Sequence, residues 1–129
     1  MNNCFFCEYS KDVAYENEHS FAIFDEYPVS KGHMLVITKN HTNSLDSLTM
    51  SEIHDIIHLI KLCIKHLDNT YRPDGYNIGF NYREAAGQTI FHLHIHIIPR
   101  YMNDVPNPKG GIRNIFNNGD YSIHVRKNE

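Results

Sequence analysis

The chain has no stretch approaching the ~20 consecutive apolar residues that a membrane-spanning helix needs. Its longest apolar helical pattern, over 53–67, is broken by His54, Asp55, His58, Lys61, Lys65 and His66. The opening Met1-Asn2-Asn3-Cys4 lacks the basic-then-apolar order of a secretion signal. A cytoplasmic protein is therefore expected. Excess positive charge is missing too. Twelve basic residues against 15 acidic ones give a formal net charge of −3, so neither a non-specific pull toward nucleic acid nor a basic stripe for it is expected. There is no internal repeat and no low-complexity tract. Cysteine is scarce. Cys4, Cys7 and Cys63 are an odd number, which in a non-secreted chain argues against a disulfide framework.

At 129 residues, with 41% apolar and 21% charged residues, the chain is long enough to bury about two-thirds of its unfolded surface as one domain. Its outlier is histidine, with ten copies. Imidazole is the side chain best suited to proton transfer and metal ligation near neutral pH.

Phe21–Phe24 is a short apolar strand, the Pro- and Gly-bearing 25–32 a loop, and His33–Ile37 a second strand, together suggesting an antiparallel pair. Thr49 and Glu52 fit a capping box. Ile53, Ile56, Ile57, Ile60, Ile64 and Leu67 then follow the 3.6-residue period, so 50–68 is predicted to be an amphipathic helix, closed off by Pro73 and Gly75. Tyr76–Asn81 alternates as a third strand and Ile90–Ile98 is a fourth. From about 103 to 129 an irregular tail is expected, in which 106–113 reads either as a pocket lid or as a loose end. The order strand, strand, helix, strand, strand argues for an α+β fold, an antiparallel sheet with one helix packed on it.

The chemistry concentrates in the last strand, His92-Leu93-His94-Ile95-His96-Ile97-Ile98-Pro99-Arg100. Alternation puts His92, His94 and His96 on one face, about 6.6–6.8 Å apart, and sends Phe91, Leu93, Ile95 and Ile97 into the core. Just before it, Gly87 permits unusual backbone angles, and Gln88 and Thr89 supply an amide and a hydroxyl. Donors beside neutral imidazoles suit a phosphate and a nucleophilic nitrogen.

These motifs resemble the histidine-triad (HIT) family of nucleotide hydrolases and transferases. The likeness spans about 4–100 and rests on the Cys pair, Gly32-His33, His41, the capped helix, Asn81, Gly87-Gln88-Thr89 and the triad. The Ile98-Pro99-Arg100 ending looks more like the Fhit-type branch, the Cys pair more like bacterial Hint-type relatives. The resemblance implies a covalent nucleotidyl intermediate on His94, with His96 at the α-phosphate and leaving group. It also implies Gln88 and Thr89 at the phosphate, Asn81 at the pocket mouth, His33 supporting the triad, and Asp25 on the ribose hydroxyls. The substrate implied is a dinucleoside polyphosphate or a nucleoside phosphoramidate. An antiparallel five-stranded sheet with one main helix, joined through the helix and a strand into a ten-stranded sheet across a homodimer, is implied as well.

Cys4-x-x-Cys7 has structural-zinc spacing; a redox pair is its rival, without a surrounding βαβ pattern. In relatives that keep the pair, the site is completed by positions that match His41 and His92. Other readings stay open. His94 and His96 could chelate a metal by themselves, and Asp25 could be an ordinary turn residue. His54 and His58 are expected on a solvated helix face, and His19, His66 and His124 at the surface. Cys63 reads as a small core hydrophobe. A nucleotide-binding scaffold with weak turnover, or a nucleotidyl transferase, is the alternative to a hydrolase.

Overall fold

The computed structural model describes residues 4–116. Five strands, β1 (Tyr15–Glu16), β2 (Ser20–Phe24), β3 (Met34–Thr38), β4 (Gly75–Gly79) and β5 (His94–Arg100), surround one long helix, α1 (Met50–Thr70), in sequence. They form one sheet in the order β1-β2-β3-β5-β4. Every pairing is antiparallel. The two-residue edge strand β1 escapes sequence patterning because two residues carry no readable alternation.

The β2–β3 pair forms as expected, with Phe24 opposite Met34. The chain turns between them with Gly32 at φ +91°, and a Cβ there would come within 3.0 Å of Leu67. Only glycine has both the backbone freedom and the missing side chain that this close approach to the helix requires.

The capping box is present in full. Thr49 Oγ1 accepts from the Glu52 amide at 3.1 Å, and Glu52 Oε1 accepts from the Thr49 amide at 2.8 Å. The helix runs two residues beyond the expected end, and the Tyr71 amide closes it onto the Leu67 carbonyl at 2.8 Å. Its fully packed row is Ile56, Leu59, Cys63 and Leu67, set against Ala22, Met34, Val36, Ile95 and Ile97 of the sheet. The isoleucine stripe is wider than this seam. Ile60 and Ile64 are partly buried, whereas Ile53 and Ile57 remain 38% and 51% exposed. Cys63 is fully buried, and burial pushes its thiol up to about 12, as a small hydrophobe should behave. His54 and His58 are exposed.

The predicted strand over 90–98 needs a correction. The ladder begins at His94, and the amide of Leu93 is taken by the Thr42 carbonyl at 2.8 Å. The alternation rule therefore does not extend back to Phe91, which is 49% exposed instead of buried; His92, also ahead of the ladder, is fully buried, whereas His94 and His96 are partly buried. Leu93, Ile95 and Ile97 do enter the core.

Two of the three histidines expected simply at the surface have partners. His19 Nδ1 meets Asp55 Oδ2 at 2.8 Å, and His66 Nδ1 meets the Tyr15 hydroxyl at 2.9 Å. His124 lies outside the described residues. The start of the expected tail is ordered. Arg100 grips both oxygens of Asp104 at 2.8 and 2.9 Å, holding that carboxyl far below its usual range. A 3-10 turn then follows over Gly111–Phe116.

Candidate active site and candidate metal centre

β5 is the central element of the site. One of its faces, with Ile95 and Ile97, packs on α1. The other carries His94 and His96 beside Ile23 and Leu35 of the neighbouring strands, at the floor of a cleft of about 490 Å³. Asp25, Asn81, Gly87, Gln88 and Thr89 line the same cleft. So most of the predicted pocket residues converge, though they come from four separate segments. A larger cleft of about 630 Å³, between Lys31, Arg100 and Pro108, contains none of the histidines.

The proton positions follow from the partners. His94 Nδ1 lies 2.8 Å from the His92 carbonyl. A carbonyl only accepts, so Nδ1 carries the hydrogen and Nε2 keeps its lone pair. His33 Nδ1 accepts from the Val29 amide at 3.1 Å, which places its hydrogen on Nε2. That N–H reaches His96 Nδ1 at 2.9 Å, with Asp25 Oδ2 3.5 Å away on its flank. His96 Nδ1 is thus an acceptor, and its remaining hydrogen sits on Nε2. One imidazole presents a lone pair and its neighbour an N–H, their ring centres 5.2 Å apart.

Burial favours the neutral form of His96 and of His33. It is the first cause pushing His96 down to about 4, followed by the neighbouring His94 and His33. It lowers His33 as well, with Asp25 pulling the other way.

Asp25 serves both the turn and the site. Oδ1 accepts from the Tyr27 amide at 2.9 Å while Oδ2 faces His33. Asn81 and Thr89 are exposed and lie at the cleft. Gln88 is 4% exposed and its amide is already committed. Oε1 accepts from the Arg83 amide at 2.6 Å and from Asn43 at 3.2 Å; Nε2 donates to the Ile90 carbonyl at 3.0 Å and to Asn43. Arg83 sits at φ +76°, a region costly for any side-chain-bearing residue. Gln88 is the clamp that holds it there, while Gly87 at φ +95° completes the turn.

His92 is fully buried. Its Nε2–H donates to the Thr38 carbonyl at 2.7 Å, which leaves Nδ1 as a free donor pair. That atom lies 3.2 Å from Cys4 Sγ and 3.5 Å from Cys7 Sγ, and Cys7 Sγ lies 3.1 Å from His41 Nδ1. All four donor atoms fall within 4.8 Å of one another. A tetrahedral zinc with ordinary bond lengths separates S and N by about 3.6 Å, so the four residues fit that ion once the closer pairs open by a few tenths of an ångström. The carbonyl that orients the ring of His92 is the usual second shell of a metal-bound imidazole. Of the four histidines expected to do chemistry, His94 and His96 line the cleft and His33 bonds to His96, whereas the ring of His92 lies among Cys4, Cys7 and His41 and its carbonyl meets His94 Nδ1. His96 groups with His33 and Asp25, and not with His94, as the second cluster of possible ligands.

Three contributors were not expected from the sequence: Asn43, Arg83 and Phe6. The ring of Phe6 lies 4.9 Å from that of His94 and 5.8 Å from that of His92. An aromatic pair enclosed between two cysteines was the available signal for it.

The cleft is floored by two imidazoles, one presenting a lone pair and the other an N–H, a pairing suited to nucleophilic and acid–base chemistry. The chain belongs to the HIT family: the HIT domain matches residues 7–103. A HIT-like protein of Methanocaldococcus jannaschii is 38% identical, covering 87% of this chain and 91% of its own. A zinc-bound histidine triad family protein from Mycobacterium smegmatis superposes with a TM-score of 0.71 at 31% identity, over 79% of this chain and 78% of that one. Among relatives with named activities, the bis(5'-adenosyl)-triphosphatase of Saccharomyces cerevisiae is 32% identical over 71% of this chain and 45% of its own length. The AP-4-A phosphorylase of Mycobacterium tuberculosis is 32% identical over 65% of this chain and 44% of its own.

Proposed function

We propose that the protein hydrolyses nucleoside 5'-phosphate derivatives, dinucleoside polyphosphates or nucleoside phosphoramidates, at the α-phosphate through a nucleotidyl-histidine intermediate. The observation that carries this reading is the 2.8 Å bond from His94 Nδ1 to the His92 carbonyl. It leaves Nε2 unprotonated, and the carbonyl dipole stabilises the cationic ring that forms when Nε2 bonds to phosphorus. As that N–P bond forms, the bond from phosphorus to the leaving group breaks and its electron pair departs with the leaving group. His96 offers its Nε2–H as a hydrogen bond to the leaving atom, its ring held in that tautomer by the His33 N–H on Nδ1, and the leaving atom takes any proton it needs from solvent water. Thr89 and the loop at Gly87 hold phosphate oxygens, and Asp25 and Asn81 hold the nucleoside. Water then cleaves the N–P bond, releases a nucleoside monophosphate and restores the ring. Gln88 acts through the loop that it clamps.

His94→Ala is expected to abolish release of nucleoside monophosphate from adenosine phosphoramidate and from diadenosine polyphosphates, with nucleotide binding retained. Near wild-type turnover in that variant would refute the assignment. Mass detection of a nucleotidyl adduct on His94 in the wild type is the direct check.

Cys4, Cys7, His41 and His92 are the residues that hold a structural zinc in this reading. The ion would tie the N-terminal turn to the segment leading into β5. A homodimer is the second part of the proposal. Leu45, Ile53, Ile57 and Phe80 form an exposed apolar groove beside β4, which is an edge strand of the sheet. A second copy laid on that groove with β4 against β4 covers both and gives a ten-stranded sheet. Light scattering at twice the monomer mass tests it. No described helix is long and apolar enough to cross a membrane. Cysteines used as a metal pair and as a core residue, and not in a disulfide among the described residues, suit a reducing, cytoplasmic setting.

A further inference from the structure

The turn Cys4-Phe5-Phe6-Cys7 belongs to two sites at once. Its cysteines are half of the Cys/His cluster. Its phenylalanines are part of the wall of the nucleotide cleft. Phe6 is 3% exposed, seated against Ile23, Leu35 and Ile37 of the sheet, and its ring covers the ring of His94. The turn itself belongs to no strand, and its described backbone bonds are local, from Glu8 to Cys4 and from Tyr9 to Phe6. The side chains of Phe6 and Cys4 pack it against the sheet. A second route joins the same two sites. His92 offers its ring nitrogen to the cysteines and its carbonyl to His94.

We infer that zinc binding and nucleotide binding are linked through Phe6, which acts as a positioning residue: it closes the nucleoside side of the cleft and fixes the ring of His94 only while the cysteine turn is pinned. This rests on the nucleotide-hydrolase reading above and on the fit of the four ligands to zinc. With the turn released, Phe6 has no backbone tether to the sheet, and the nucleotide must restore the wall at the expense of its own affinity. Linkage is reciprocal, so a bound nucleotide must strengthen zinc retention by the same factor.

The test uses the full chain loaded with zinc. Zinc affinity is measured by competition with a chromogenic chelator, with and without saturating AMP or GMP, and nucleotide affinity is measured by calorimetry before and after zinc is stripped. Wild-type protein is expected to hold zinc about tenfold more tightly with nucleotide present, and to bind nucleotide weaker by the same factor once stripped. Phe6→Leu, which keeps apolar volume without the ring, and Phe6→Ala are expected to cut the nucleotide effect on zinc affinity well below the wild-type tenfold, leaving only what the His92 route carries. Should the stripped protein unfold, the competition on the loaded protein still decides. Equal zinc affinity with and without nucleotide in the wild type would overturn the inference, as would an undiminished effect in both Phe6 variants. If neither AMP nor GMP binds the zinc-loaded wild type, the nucleotide reading itself fails and the linkage with it.

Discussion

Acid should destabilise this fold through His96 before it reaches the carboxylates. Burial first, then His94 and His33, push His96 down to about 4, against about 6.5 in an unfolded chain. Between those two values the unfolded chain binds a proton that the folded protein refuses. The stabilisation by neutral His96 is complete above pH ~6.5 and is lost as pH falls, at about 1.4 kcal/mol per pH unit. From pH ~6.5 to ~4.5 the loss comes to roughly 2–3 kcal/mol. His33, lowered in the same direction and bonded to His96, titrates with it as a pair. Asp55 and Asp104 are held low by their partners, so they act in the same sense but only below pH ~4.5. The assay is urea unfolding of wild type and His96→Asn across this range, with equal excess zinc. Protonation of zinc ligands then enters both proteins alike and leaves the difference. The stability advantage of the wild type should shrink by roughly 2–3 kcal/mol between pH ~6.5 and ~4.5. A difference that stays flat across that window would refute the account of His96 as a ring buried neutral.

Two further outcomes follow from side chains whose work is already assigned. Gln88→Ala should cost about 2 kcal/mol, because the strain relieved when Arg83 leaves its unfavourable angle only partly offsets the stranding of the Arg83 amide and the Ile90 carbonyl. Hydrogen exchange should show the 83–90 loop opening, and unchanged protection there would contradict the clamp. In native zinc-free protein, a thiol reagent should modify Cys4 and Cys7 quickly and Cys63 only after denaturation, since burial pushes the Cys63 thiol up to about 12. Fast labelling of Cys63 in the native state would show that the helix–sheet seam opens.

Strong local signals survived the passage from sequence to structure. The helix was legible because its cap and its apolar period are properties of neighbouring residues. The strands 21–24 and 33–37 were legible because a Pro- and Gly-bearing loop separates two apolar runs. His94 and His96 share a face because alternation is a rule of the strand itself.

What the sequence could not decide is where that rule stops. His92 looks like a third member of the same row, yet the ladder starts two residues later and its ring turns into a pocket made by Cys4, Cys7 and His41. That depends on Thr42 taking the Leu93 amide, a contact across 51 residues that no local pattern encodes. Gln88 is a similar case. As a residue type it suits phosphate, but its surroundings place three hydrogen-bonding partners within reach and the amide is used up in the loop. Phe6 gained its place beside His94 from a turn that is distant in sequence and seated on the sheet by its side chains. The chain determined by itself which groups could do chemistry near neutral pH. Tertiary packing decided which nitrogen of each ring is exposed and which is spent, because a proton's position is set by whatever acceptor the fold happens to bring alongside.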